Sequence, residues 1–97
     1  MKKDPIESKG SFDRALRFFD NGDLTMAEEI CRATLREFPA EGKLQCLLGT
    51  ILVRQRRPAE ALPELEEVIN NFPTFPKARR EMGNALLALG RGREAVV

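Results

Sequence analysis

Lys43-Leu44-Gln45-Cys46-Leu47-Leu48-Gly49-Thr50-Ile51-Leu52 is the stretch on which the fold turns, because it returns in outline as Lys77-Ala78-Arg79-Arg80-Glu81-Met82-Gly83-Asn84-Ala85-Leu86. The interval is 34 residues, and it holds well outside this stretch. Ala27, Ala61 and Ala95 repeat at it, as do Phe38-Pro39 with Phe72-Pro73, Glu60 with Glu94, and Lys9 with Lys43 and Lys77. A period of this size marks a stack of supersecondary units, none of which buries its apolar face alone. Such stacks offer extended surfaces to other molecules, so the period predicts binding rather than chemistry.

Composition sets the outer bounds. With 97 residues, 42% hydrophobic and 32% charged, the chain has the size and make-up of one folded domain rather than of a disordered segment. Sixteen basic residues against 15 acidic ones point neither to nucleic acid nor to an anionic membrane as partner. No apolar run approaches the roughly 18 residues of a membrane span. The first seven residues, MKKDPIE, lack the apolar core of a secretory signal and read as a flexible arm ahead of a domain at 8–97. Cys31 and Cys46 both fall inside helical patterns, which predicts a reduced, cytoplasmic protein. Histidine is absent, so histidine-based catalysis and histidine metal sites are excluded for these residues. No phosphate loop, metal-ligand spacing or nucleophile–base pair is present. The expectation is therefore no catalytic residue, no cofactor and no metal.

The apolar spacing predicts helices at about 8–20, 24–37, 41–55, 59–71 and 76–89, with the first turn of a sixth at 93–97. Asn21-Gly22-Asp23, Phe38-Pro39, Arg56-Arg57-Pro58, Phe72-Pro73 and Gly90-Arg91-Gly92 punctuate them. No strand pattern occurs, and the predicted class is all-α. Pro63 falls inside the fourth helix, where it removes one backbone donor, and a mild kink on the exposed face is expected. The carboxylates Glu28-Glu29 and Glu64, Glu66, Glu67 alternate with apolar positions and read as solvated outer faces.

The repeat resembles the tetratricopeptide family, whose pattern is W-x2-L-G-x2-Y, then A-x3-F, then P. One unit reads Gln45-x2-Leu48-Gly49-x2-Leu52, Ala61-x3-Leu65, Pro73. The next reads Arg79-x2-Met82-Gly83-x2-Leu86, Ala95. The first is weaker, with Ser11-x2-Arg14-Ala15-x2-Phe18, Ala27-x3-Cys31, Pro39. The resemblance implies an α-solenoid of antiparallel helix pairs in a right-handed superhelix, about two and a half repeats at 8–41, 42–75 and a truncated 76–97. It makes Gly49, Gly83 and Ala15 the small residues at which the paired helices cross. Gly10 and Arg17 stand where later repeats have Leu44 and Ile51, as expected of a terminal repeat. At the other end a helix begins at Ala95-Val96-Val97 and is unfinished, which predicts further repeats or another domain beyond it, or a homodimer through that uncapped end.

In the family fold the first helix of each pair lines the concave face. Carried over, that face holds Lys9, Phe12, Leu16 and Phe19, then Lys43, Cys46, Thr50, Val53 and Arg54, then Lys77, Arg80, Asn84 and Leu87. Lys9, Lys43 and Lys77 would form a ladder able to meet an acidic peptide or a carboxylate. The plainer reading is a row of solvated lysines near helix starts. One subset of the family clamps the carboxylate at the end of a chaperone tail. Phe12, Leu16, Leu47 and Glu81 stand where that clamp needs polar or cationic residues, and only Lys77 fits, so this ligand is rejected. The Phe12, Leu16, Phe19 stripe is offset by two residues from that of the third helix, a rotation of about 200°. It is either an apolar groove floor or part of the core.

Two functions follow from different classes. The first is a non-catalytic module that binds a protein or peptide partner through the concave face. The second is the amino-terminal repeat region of a larger transferase, because residues 82–97, MGNALLALGRGREAVV, look like repeats found ahead of bacterial sulfotransferase and sugar-transferase domains.

Overall fold

The computed structural model describes residues 5–90, with side chains from Lys9 onward. The predicted sixth helix at 93–97 lies outside the described residues. Five helices follow one another: α1 (Pro5–Asp20), α2 (Leu24–Glu37), α3 (Gly42–Arg54), α4 (Pro58–Asn71) and α5 (Pro76–Ala88). There is no strand among the described residues. One boundary moves: α1 opens at Pro5, inside the stretch expected to be a loose arm. Proline suits a first helical position, where its fixed φ is already helical and its missing N–H would have had no partner. Pro63, by contrast, is exposed within α4, and the helix runs through it.

The turns inside the hairpins repeat as closely as the helices. Each follows an odd-numbered helix and contains a residue of positive φ: Gly22 at 86°, Arg56 at 63° and Gly90 at 75°. These positions are themselves 34 residues apart. Two of the turns show the paired bonds of a Schellman motif. The Asp23 N–H donates to the Phe18 carbonyl at 2.9 Å and the Gly22 N–H to that of Phe19 at 3.0 Å. The Arg57 N–H donates to the Leu52 carbonyl at 2.8 Å and the Arg56 N–H to that of Val53 at 3.0 Å. Arg56 thus takes a backbone shape that its counterparts leave to glycine, at a cost of about 1 kcal/mol.

Packing centres on α3, which touches each of the other four helices. From Leu44 to Leu52 every one of its residues is buried. Leu44, Leu48, Ile51 and Leu52 pack with Cys31, Leu65 and Val68 into the core. Fully burying a side chain of this size contributes about 1.5–3 kcal/mol. Gly49 is small because α4 crosses it closely: a Cβ there would lie 2.6 Å from Leu65 Cδ2. Ala27 and Ala61, on the second helices, are wholly buried as expected for close crossings. Gly10 and Arg17 are exposed, whereas their counterparts Leu44 and Ile51 are not.

Of the carboxylates expected on the solvated outer faces, Glu29, Glu66 and Glu67 are exposed, whereas Glu28 and Glu64 are partly buried. Glu28 accepts from Arg32 Nε at 2.8 Å and from Arg57 Nη1 at 2.8 Å. Arg57 also donates to Gln55 Oε1 at 2.7 Å and grips Glu60 with Nε and Nη2 at 2.7 and 2.9 Å. Burial alone would raise the Glu28 carboxyl, but the hydrogen bonds from Arg32 and Arg57 outweigh it and hold its pKa at about 2. This cluster ties α2 to the α3–α4 turn. Glu64 and Glu67 both accept from the buried Gln45 amide, at 3.2 and 2.9 Å. Helical spacing could not reveal either cluster, because each joins residues from different helices.

Candidate functional site

Helices α1, α3 and α5, the first helices of their pairs, lie side by side, with α3 in contact with both flanking helices. Helix α1, the start of α3 and the α4–α5 turn form an open cavity of about 540 Å³ lined by Lys9, Phe12 and Asp13 of α1, Gly42, Lys43 and Leu44 of α3, and Glu41, Phe72 and Phe75 of the turns. A hollow of about 220 Å³ adjoins it, sharing Phe12, Lys43 and Phe75 and adding Cys46, Leu47 and Lys77. Together they form one cleft with a floor of apolar side chains and a rim of lysines.

The turns position much of this cleft. Phe72 ends α4, its N–H bonded to the Val68 carbonyl at 2.7 Å, and Phe75 caps the start of α5, its N–H bonded to the Phe72 carbonyl at 3.0 Å. The Phe72 ring lies directly on Gly42, where a Cβ would stand 2.8 Å from Phe72 Cε2. Glycine at 42 therefore lets the ring close against the start of α3.

Of the expected face residues, Lys9, Phe12, Lys43, Cys46 and Lys77 come together here. All three lysines are exposed, and none is in an ion pair among the described residues. Cys46 is 2% exposed and lies at the floor. Burial raises its thiol pKa, with Lys77 pulling the other way, so the sulfur stays protonated rather than nucleophilic. Cys31 is wholly buried in the core, and burial pushes its thiol up to about 12. Both cysteines are free.

The remaining face residues lie elsewhere. Thr50 is buried, and its hydroxyl donates to the Cys46 carbonyl at 3.1 Å, so it offers nothing to a ligand. Phe12, Leu16, Phe19 and Val53 are partly buried and pack against the core. The choice between groove and core for the Phe stripe thus divides by residue: Phe12 serves both, and Leu16 and Phe19 flank the core. Phe19 carries the Arg54 guanidinium 5.3 Å above its ring. Arg80, Asn84 and Leu87 are exposed along α5, and Asn84 Nδ2 donates to Glu81 Oε1 at 3.3 Å.

Sequence reasoning did not place Phe72 and Phe75 in the site. Phe72-Pro73 signals a helix stop, and Phe75 stands where the preceding turn has Glu41, so the period gave no guide to it. Among the described residues no group of His, Cys, Asp and Glu could hold a metal ion, and no helix is long and apolar enough to cross a membrane.

Residues 52–97 match the model of the tetratricopeptide repeat family. No curated protein gives a significant match to the chain. Repeats of this family generally mediate protein–protein interaction and are typically non-catalytic. Helix pairs on a 34-residue period, closely crossed at Gly49 and Ala61, and this match over residues 52–97 together support a tetratricopeptide repeat family for the chain.

Proposed function

We propose that the chain is a non-catalytic interaction module that binds a peptide segment of a partner protein along the face of α1, α3 and α5. The observation that carries this reading is the cleft itself. Three helices and one turn place Phe12, Leu44, Leu47, Phe72 and Phe75 under a rim of Lys9, Lys43 and Lys77. Apolar floor and charged rim are the ingredients of peptide recognition: the floor supplies affinity, and the rim supplies register and rate of encounter. Burial raises the pKa of the one thiol at the floor, which disfavours a nucleophilic thiolate there.

Selection from a displayed peptide library tests the reading. Enriched peptides are expected to bind the native chain and to lose binding to the Lys43→Glu, Lys77→Glu double variant, with helicity and thermal midpoint preserved. Peptides that bind both proteins equally, or a library that yields no binder, would remove the face from consideration.

A further inference from the structure

The two halves of the cleft differ in charge, and that difference points to its occupant. Asp13 and Glu41 both line the larger cavity, beside Lys9 and Lys43. The smaller hollow holds Lys43 and Lys77 and no carboxylate. One turn after each rim lysine the sequence has Asp13, Leu47 and Glu81 in succession, so Lys43 alone lacks an acidic residue four positions on along its own helix. Glu81 is itself buried, 7% exposed, and takes the Asn84 amide. Positive charge is thus concentrated between α3 and α5, over an apolar wall made by Phe12, Leu47, Phe75 and Cys46. The larger cavity, with its mixed charges, has its apolar area in Phe12, Leu44, Phe72 and Phe75.

We propose that the occupant is an acidic peptide segment with a bulky apolar side chain. The apolar side chain sits in the larger cavity against Phe12, Phe72 and Phe75, and side-chain carboxylates of the segment meet Lys43 and Lys77. This rests on the reading of the face as a peptide site and adds the partner's chemistry to it. A carboxylate placed in the larger cavity would face Asp13 and Glu41, whereas in the smaller hollow it meets two ammonium groups.

The experiment uses short peptides, acetylated and amidated so that the only carboxylates are side chains. Each has one leucine and two aspartates in a glycine-serine frame, with asparagine-for-aspartate and alanine-for-leucine versions as controls. They are titrated into the isotope-labelled chain and followed by amide chemical shifts. Shifts are expected at the starts of α1, α3 and α5, with the aspartate peptide bound about tenfold or more tighter than the asparagine one. The Lys43→Gln, Lys77→Gln double variant is expected to erase that preference while keeping the fold, and alanine for leucine to weaken binding to both proteins. Equal affinity of aspartate and asparagine peptides, a preference that survives the double variant, or no binding by the aspartate peptide overturns the proposal. If peptides selected from the library still map to α1, α3 and α5 in those cases, the interaction face stands and only the acidic–apolar occupant is lost.

Discussion

Helices α1 and α3 hold the same place in successive repeats and meet opposite fates. In α3 the residues from Leu44 to Leu52 are all buried, whereas in α1 Ala15 is the one buried side chain among those described. The period gives both helices the same register, but the number of neighbours decides what that register buries. In contact with all four other helices, α3 is buried from Leu44 to Leu52 even where it borders the cleft. With less covering it, α1 leaves Phe12, Leu16 and Phe19 half-buried, and one of those rings becomes wall of the cleft. The cleft therefore forms where a covered helix meets a less covered one.

The largest expected effect contrasts the two helices directly. Leu48→Ala should cost about 2–5 kcal/mol in urea unfolding, because it empties a fully enclosed position. Leu16→Ala, at a half-buried position, should cost about 1 kcal/mol. Similar losses at both sites would break the comparison. Gly49→Ala comes next, at about 1–3 kcal/mol, since Leu65 has to move from a fully buried place to admit the methyl group. Gly42→Ala meets Phe72, which is 40% exposed and freer to yield. It should cost less than about 1 kcal/mol while changing the cleft, which a shift in peptide affinity without a matching loss of stability would show.

The hairpin turns sharpen the comparison in the other direction. Arg56→Gly should raise stability by about 1 kcal/mol, because it relieves the positive-φ backbone that Gly22 and Gly90 adopt freely. An unchanged or lowered midpoint would mean that the Arg56 side chain earns its place through contacts. The smallest effect is pH-dependent and belongs to Glu28. Its folded pKa, about 2, lies below the ordinary 4.5, so its contribution is complete above the ordinary value and is lost as pH falls through the folded one. Screening by solvent around the partly exposed Arg32 and Arg57 holds that contribution to about 1 kcal/mol. The gap in stability between the native chain and Glu28→Gln should therefore be open at neutral pH and close in acid.

The helical stack was legible because its causes are local: the apolar spacing of Leu44, Leu48, Ile51 and Leu52, and the small residues Gly49 and Ala61, recur at a fixed interval. The rim of the cleft was legible for the same reason, since Lys9, Lys43 and Lys77 share one place in the repeat and the structure sets them around one cleft. Thr50 misled because family position assigns it to the exposed face, whereas the flanking helices bury it. Phe72 and Phe75 were missed because they belong to a turn whose ring packing depends on Gly42, 30 and more residues earlier. Arg56 broke the rule that glycine marks a left-handed turn, so only backbone geometry reveals that its turn equals the other two.

The contact of α3 with all four other helices has a kinetic counterpart. Repeat stacks whose units meet only in sequence order can fray one unit at a time. In this stack too the contacts run only between successive units, so the outer helices can leave first, each exposing part of α3, and α3 amides are freed only when both neighbouring units have gone. Hydrogen exchange should accordingly be fastest in α1 and α5 and slowest in α3, whose protection reports the unfolding of the entire stack.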